Sequence, residues 1–312
     1  MRAATIRDRK VVVEEHPDPA PGAGEVLVRV RAAGLNGADM VQRRGLYPAP
    51  PGSPPDIPGL ELAGEVAALG PGAERFALGE RVMAIVGGGG QAELCVVHER
   101  QLMPVPAPLS WPAAGALPEV FTTAHDALFA QAELRSGEHL LVHGGAGGVG
   151  TAAIQLGLAT GARVTATVRS EELRGQVAAL GATVLEPEAF ARQGPFDVIL
   201  ELVGAPNLGD NLLALATGGR ITVIGVSAGA SGELNLLALM GKRARIHGST
   251  LRGRPLEEKA LAARRLEREV LPLFAGGALR VPIAETFPLS EAAAAYERFA
   301  AGGKFGKIVL LT

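Results

Sequence analysis

Over the first hundred residues, apolar and polar positions alternate in short β-branched stretches at 11–15, 25–33, 62–68, 81–85 and 92–97, separated by glycine and proline. A two-residue period punctuated in this way predicts short, twisted strands in a β-rich unit. The proline-dense stretch 48–58 is expected to be loop, because each proline fixes φ and removes a backbone donor. Ordered loops of that length commonly carry function. From residue 119 the pattern changes: helix-like segments at 119–131, 149–160, 171–180, 208–216 and 234–240 alternate with the apolar runs HLLVH, ARVTATV, FDVILELV, GRITVIG and ARIHG. Strands buried on both faces and separated by helices predict βαβ units in a parallel sheet of about six strands. A charged helix over 256–274 follows, and two further β-like segments, 281–287 and 306–311, suit the N-terminal unit better than the sheet. The expected fold is α/β, a doubly wound parallel-sheet domain inserted into a β-rich domain, with a cleft between the two.

Composition agrees with two cores. A chain of 312 residues exceeds the usual single-domain size, and 47% hydrophobic with 20% charged residues leaves little room for a long disordered region. A formal charge of −2 provides no field for nucleic acid or an anionic membrane. Cys95 is the only cysteine, which rules out an internal disulfide and any zinc site built from several thiolates. The first residues lack the apolar core of a signal peptide, and the longest apolar runs, such as 154–158, are too short to span a bilayer. A cytoplasmic location is expected.

The segment HLLVHGGAGGVGTAAIQLGL supplies the first chemistry. A buried strand ends at His143, a turn carries Gly145, Gly147 and Gly150 at G-x-G-x-x-G spacing with Gly148 and Val149 between them, and an apolar helix follows. In that context the glycines allow backbone N–H groups to approach a pyrophosphate at a helix N-terminus, which predicts a dinucleotide site. A site preferring NAD places an acid about 20 residues on, at the end of the second strand. Here that strand ends at Val168 and continues into Arg169 and Ser170. An arginine pairs with a 2′-phosphate, so NADPH is expected over NADH. The alternative puts Glu171 or Glu172 on the ribose, but Ser170 has the character of an N-cap, and acids in a first turn complement the helix dipole without a ligand.

With these motifs in place, the chain resembles the medium-chain dehydrogenase/reductase superfamily. The closer likeness is to its zinc-free, zeta-crystallin-like quinone oxidoreductases, in particular the stress-inducible subgroup. The stretches that carry it are GLNGADMVQRRGLYPAPPG, PGLELAGEVAALGPG, GGGGQAE, ALPEVFTTAHDALF, HGGAGGVGTAAIQL, GSTLRGRPLEEKA and GKIVL, collinear over nearly the whole chain. The resemblance implies a GroES-like catalytic domain over 1–118, a Rossmann domain over 119–254 and a return segment over 255–312. It places Asn36, Leu60 and roughly Glu119 where the superfamily's alcohol dehydrogenases hold catalytic zinc; Glu61 survives beside them, and one carboxylate does not make a tetrahedral N/S site. No metal is expected.

The resemblance also implies site residues: Asn36, Asp39 and Tyr47 near the nicotinamide as catalytic groups, with the loop 48–58 shaping the acceptor pocket. Thr123, Val203, Gly204, Ile224, Gly225, Phe305, Gly306 and Lys307 join the glycine turn, Arg169 and Ser170 in holding the cofactor. Simpler readings exist for several of these: a helix cap for Asn36, a packed loop aromatic for Tyr47, a backbone-bonded threonine for Thr123, a solvated charge for Lys307. Related reductases carry a lysine and a tyrosine on the 2′-phosphate. This chain has Glu172, Leu173 and Glu188 in that region, which leaves Arg169, Ser170 and Arg174.

Without zinc as Lewis acid, hydride is expected to go to acceptors that need little activation, namely quinones or double bonds conjugated to a carbonyl. The leading expectation is an NADPH:quinone oxidoreductase. The second is an NADPH-dependent enone or enoyl-thioester reductase, and a third is an NADPH-sensing or RNA-binding crystallin-like protein, which near-neutral charge and few aromatics disfavour. A homodimer is implied, with ARIHGST as a sheet-edge contact.

Overall fold

In the computed structural model, which describes all 312 residues, Met1–Thr122 together with Leu251–Thr312 form one unit and Thr123–Thr250 form a second. The first unit is organised on the strand Glu25–Gly34. Its alternate residues Val26, Val28 and Val30 turn inward onto Leu62, Val66, Val82 and Val97, so the two-residue period places one face in the core. This strand pairs antiparallel with Glu61–Leu69 over Val26–Ala32 on one edge, and on the other with Leu94–His98 over Glu25–Arg29 and then with the C-terminal strand Lys307–Leu311 over Ala32–Gly34. The remainder of the sheet continues through Arg81–Ile85 to Met103–Pro104 on one side and from Lys307–Leu311 to Ile283–Pro288 on the other. The tail is therefore an integral strand of the first unit.

A second apolar cluster lies under that tail. The helix Ala292–Ala300 buries Ala292, Ala295 and Tyr296 against Leu35, Ile308 and Leu310. The N-terminal hairpin of Arg2–Arg7 with Lys10–Glu15 packs onto it. Its first strand escaped the sequence pattern because charged residues close both its ends. The connection Asp8–Arg9 has positive φ at both residues, which matches the twist of a two-residue hairpin. Two predicted helices differ in extent. The segment from 119 starts at Pro118 and loosens into a wider turn over Asp126–Gln131. The segment from 256 breaks into Leu256–Glu269 and Leu271–Ala275, where Pro272 has no N–H to continue the ladder.

The second unit is a six-stranded sheet, parallel throughout, in the order Thr183–Leu185, Arg163–Thr167, His139–Val142, Phe196–Glu201, Leu215–Val223 and Arg245–Gly248. Numbered along the chain this is 3-2-1-4-5-6, the doubly wound arrangement. The central strands are buried on both faces, with Leu140, Leu141, Val142, Val198, Ile199 and Leu200 fully enclosed, which explains their unbroken apolar runs. Successive strands are added in one direction from His139–Val142 and in the other from Phe196–Glu201, so the winding reverses between these two parallel neighbours. Ligands of such sheets bind outside the carboxyl ends at that switch point. No helix is long and apolar enough to cross a membrane.

Candidate active site

At the carboxyl end of His139–Val142 the chain enters the glycine turn. Gly144 takes φ of 67°, Gly145 N–H donates to Thr167 O at 3.0 Å, and Gly147 is the N-cap of the helix Gly148–Ala159. A Cβ on Gly150 would lie 2.4 Å from Gly144 O and one on Gly145 would lie 2.8 Å from the Ala166 methyl. Only glycine lets helix, turn and neighbouring strand approach so closely. The first turn of the helix leaves N–H groups without helical acceptors. Gly148, Val149 and Gly150 thus form a cradle that fits a dinucleotide pyrophosphate.

Glu201 and His143 brace this cradle. Glu201, at the end of the adjacent strand, accepts from Val203 N–H at 2.7 Å, Gly204 N–H at 2.8 Å and Asn211 Nδ2 at 2.7 Å. Its backbone oxygen accepts from Ile224 and Gly225 N–H, so one residue holds both loops where sequence places cofactor contacts. Because Asn211 donates its amide to Glu201, its Oδ1 must accept from His143 Nε2 at 2.7 Å, while His143 Nδ1 accepts from the Thr167 hydroxyl at 3.0 Å. Burial holds the His143 pKa below its ordinary value against the pull of Glu201 and Asn211, so the ring is neutral near pH 7. Glu201, His143 and Asn211 were not singled out from sequence. The only signal was polar residues closing the apolar runs FDVILE and HLLVH.

Arg169 is exposed and pairs with no acid, whereas Arg174 is engaged by Glu186 at 2.7 Å. Ser170 stands at the N-cap of Glu171–Ala178, but its side chain makes no capping bond. Thr123 is buried at the boundary of the second unit.

In the first unit the structure brings together Asn36, Asp39 and Lys307. Lys307 is 3% exposed, and its ammonium donates to Leu35 O at 2.7 Å, Asn36 Oδ1 at 2.6 Å and Glu61 Oε1 at 2.6 Å. Three donors meet three acceptors, so none is left for a ligand in this arrangement. Asn36 Nδ2 donates to Glu61 Oε1 at 2.9 Å and Gly34 O at 3.3 Å. The other Glu61 oxygen accepts from Glu119 N–H at 2.8 Å, at the second residue of the helix Pro118–His125, where a helix has an orphan donor. A Cβ on Gly34 would lie 2.3 Å from Glu61 Oε1, so this carboxylate fits only beside a glycine.

Asp39, fully buried, accepts from Asn36 N–H at 2.8 Å, Gly59 N–H at 3.1 Å and Gln91 Nε2 at 3.3 Å, and Tyr296 OH donates to Gln91 Oε1 at 2.8 Å. Burial pushes the Asp39 carboxyl up to about 6, opposed by the Asn36 N–H, the Lys307 charge and the Gly59 N–H. Tyr47 is half-buried in the proline loop. Arg252 holds it there, donating to Tyr47 O at 2.9 Å, Gly87 O at 2.7 Å and Gln42 Oε1 at 2.6 Å, with its guanidinium 5.0 Å from the Tyr47 ring centroid. Burial, more than the opposing Arg252 charge, raises the phenol pKa, so Tyr47 keeps its proton at neutral pH. Arg252, Gln91 and Tyr296 were missed as structural partners, although GGGGQ and GSTLRGR stood out as motifs. Phe305, two residues before Lys307 in the chain, is half-buried.

The donor set at Asn36, Glu61 and Glu119 does not suit zinc. Leu60 is buried apolar surface, the nearest carboxylate is occupied by an ammonium, and no three His, Cys, Asp or Glu side chains group to hold an ion. Removing the ammonium leaves a buried carboxylate unpaired. Lys307→Met is expected to lose roughly 3–5 kcal/mol and to lower the thermal midpoint by roughly 10 °C; a calorimetric midpoint equal to wild type would contradict the pairing. The folded-state pKa of Asp39 lies above the ordinary 3.8. Its contribution to stability is therefore complete below that value and lost as pH rises through about 6. Against the non-titrating Asp39→Asn, wild type should lose roughly 3 kcal/mol between about pH 4 and 7 in urea unfolding, and a pH-independent difference would contradict the shift.

Comparison with known proteins places this geometry. Residues 22–107 match the alcohol dehydrogenase GroES-like domain family, and residues 180–310 match the zinc-binding dehydrogenase family. A quinone oxidoreductase of Rattus norvegicus is 33% identical over 305 residues, covering 94% of this chain and 91% of its own. An acryloyl-coenzyme A reductase of Metallosphaera sedula is 30% identical over the whole of both chains. Among solved structures, a NAD-dependent alcohol dehydrogenase superposes with a TM-score of 0.88 at 31% identity over 100% of both chains. A mycobacterial protein complexed with NADPH has the same TM-score at 26% identity, covering 100% of both chains. With a GroES-like match in the first unit, a doubly wound sheet in the second and relatives at 30% identity or more over nearly the whole chain, the chain is a member of the medium-chain dehydrogenase/reductase superfamily and an oxidoreductase.

Proposed function

We propose that this protein is an NADPH-dependent, zinc-independent reductase that passes hydride to a quinone. The observation that carries this reading is the Lys307–Glu61–Asn36 cluster, in which a buried ammonium occupies the carboxylate beside the positions that bind metal in alcohol dehydrogenases. Quinones accept hydride with hydrogen-bond donors and positioning alone, which suits such a site. When bound, NADPH supplies the hydride.

The second unit holds the dinucleotide. Gly145, Gly147, Gly148, Val149 and Gly150 receive the pyrophosphate, and Thr123, Val203, Gly204, Ile224 and Gly225 line the nicotinamide half. Arg169 and Ser170 take the 2′-phosphate, and the unpaired guanidinium of Arg169 supports the choice of NADPH. The first unit serves the acceptor. The protonated Tyr47 phenol donates to the oxygen on which charge develops, Asn36 and Asp39 form a fixed wall behind it, and Phe305 packs beside them while Lys307 holds Asn36 in orientation. The acryloyl-coenzyme A reductase relative favours a second reading, reduction of an activated double bond by the same groups.

The purified protein is expected to oxidise NADPH with quinones in preference to enones. Arg169→Ala should raise the KM for NADPH roughly 10- to 100-fold, the value of a charged hydrogen bond, with little change for NADH. Wild type using NADH as well as NADPH would overturn the cofactor assignment, and faster turnover of enones would favour the second reading.

We also place the protein in the cytoplasm, where its single buried thiol suits a reducing medium, and infer a homodimer. The strand Arg245–Gly248 ends the parallel sheet with one edge unpaired, and Leu213, Leu236, Leu237 and Met240 nearby are each more than 60% exposed. Sedimentation equilibrium should give twice the chain mass, and Leu237→Glu with Met240→Glu should give one; a wild-type monomer would exclude the dimer.

A further inference from the structure

Arg252 is the second residue of the return into the first unit and is 3% exposed. Its guanidinium donates through Nε to Gly87 O, through one terminal nitrogen to Tyr47 O and through the other to Gln42 Oε1, at 2.7, 2.9 and 2.6 Å. These acceptors belong to three segments. Gln42 lies in the helix Gly37–Arg43 and also donates to Pro55 O at 3.3 Å, so both ends of the proline loop are tied, directly or through Gln42, to one guanidinium. Gly87 follows the strand Arg81–Ile85, and a Cβ there would lie 2.2 Å from Ser53 Oγ, so its backbone packs on the middle of that loop. The guanidinium is thereby fixed, with its carbon 5.0 Å from the Tyr47 ring centroid.

All three acceptors are neutral oxygens, and tying a loop by such oxygens needs no charge. Taking a guanidinium out of water without a hydrogen-bonded carboxylate is costly unless its charge acts on something nearby. Asp39, Tyr47, Glu119 and Tyr296 face it, and Lys259 lies near it. Asp39 is served first by the Asn36 N–H and the Lys307 charge, and Tyr296 donates to Gln91. The Tyr47 phenol differs. Burial and the Glu119 charge disfavour its ionised form, and Arg252 is the cation that favours it. A guanidinium beside an aromatic ring attracts the neutral ring, and attracts the phenolate more strongly.

We infer that Arg252 is a positioning residue for the reduction, one that fixes the Tyr47 ring at the acceptor and stabilises the phenolate formed when Tyr47 gives its proton to the acceptor oxygen. The inference rests on the reductase reading and adds to it the group that makes the phenol an effective acid. In that step the Tyr47 O–H bond breaks and an O–H bond forms on the acceptor, which receives its two electrons with the hydride. The half-buried phenolate then recovers a proton from water. Stabilising a charge that develops only during the reaction raises kcat and leaves KM nearly unchanged.

Two measurements on the full-length protein test it. The chain has two tyrosines, and burial raises the Tyr296 phenol well above its ordinary range, so Tyr47 titrates first. With both replaced by fluorotyrosine, fluorine NMR of the protein without cofactor follows the Tyr47 resonance against pH, and Tyr47→Phe assigns it. Arg252→Met should move this titration upward by about one pH unit, a roughly tenfold smaller phenolate fraction, and Arg252→Lys should keep it near the wild-type position. Gln42→Glu keeps the guanidinium bonded while offsetting its charge, and should shift the titration upward even where Arg252→Met does not fold. In the second measurement, kcat for a benzoquinone is followed against pH. Arg252→Met should lose about tenfold in kcat at neutral pH with KM little changed, and Arg252→Lys should recover most of it. A Tyr47 titration unmoved in whichever of Arg252→Met and Gln42→Glu folds, or equal losses of kcat in Arg252→Met and Arg252→Lys, would overturn the inference and leave Arg252 a clamp on the loop. Absence of any quinone turnover would instead remove the reductase reading, and the NMR titration would still decide whether Arg252 governs the phenol.

Discussion

The first unit is arranged around a lysine ammonium enclosed by protein. Lys307 presents three donors, and Leu35 O, Asn36 Oδ1 and Glu61 Oε1 accept one each. A charge taken out of water is tolerable only when it is paired and hydrogen-bonded, so these four residues must come together for the unit to fold. They lie on the C-terminal strand, at the entry to the first helix and on the strand Glu61–Leu69, three segments distant in sequence. Glu61 then extends the arrangement by capping the helix that begins at Pro118. The Asn36 amide has both N–H groups and its oxygen committed, which makes it a rigid part of this network. Tyr47 is steadied by Arg252 through its backbone oxygen and its ring.

In the second unit a carboxylate plays the organising part. Glu201 gathers N–H groups from Val203, Gly204 and Asn211 through its side chain and from Ile224 and Gly225 through its backbone. Asn211 transmits this order to His143 and through it to Thr167, whose backbone oxygen receives Gly145 N–H. The strand order 3-2-1-4-5-6 makes this relay available, because it sets the ends of the first, second and fourth strands side by side at the switch point. The glycine turn is therefore supported by polar side chains from its neighbours as well as by its own lack of Cβ atoms.

Both units solve the same problem with opposite signs. Each centres a network on a buried charged side chain, Lys307 in the first and Glu201 in the second, held by short hydrogen bonds to backbone and amide partners and, for Lys307, to the Glu61 carboxylate, which rigidifies the surroundings in the way networks of low dielectric do. Arg169, in the second unit, has no acidic partner and stands apart from these structural networks. A phosphate is a group that such an unpaired guanidinium recognises.

Periodicity alone determined much of this protein. The apolar runs from HLLVH to GRITVIG were legible as buried parallel strands, whereas ARIHG is a partly exposed edge strand, and the glycine spacing between 144 and 150 was legible as a close backbone approach at a helix start. The end of the second strand was legible to within a residue, at Thr167 where the sequence placed Val168, because the apolar run and the charged residues that follow it are neighbours in the chain. The tail segments were legible as strands for the same reason. What the chain order concealed were contacts between distant residues. Nothing local in GKIVL distinguishes a solvated Lys307 from one locked onto Glu61, and nothing in GSTLRGR says that Arg252 holds the Tyr47 loop. Pairing of Glu201 with Asn211 and His143, and of Tyr296 with Gln91 and Asp39, depended on side chains meeting after strands and helices had packed. Hydrophobic periodicity is a property of neighbours along the chain; the hydrogen-bond partner of a buried charge is a property of neighbours in space, and only the tertiary structure decided it.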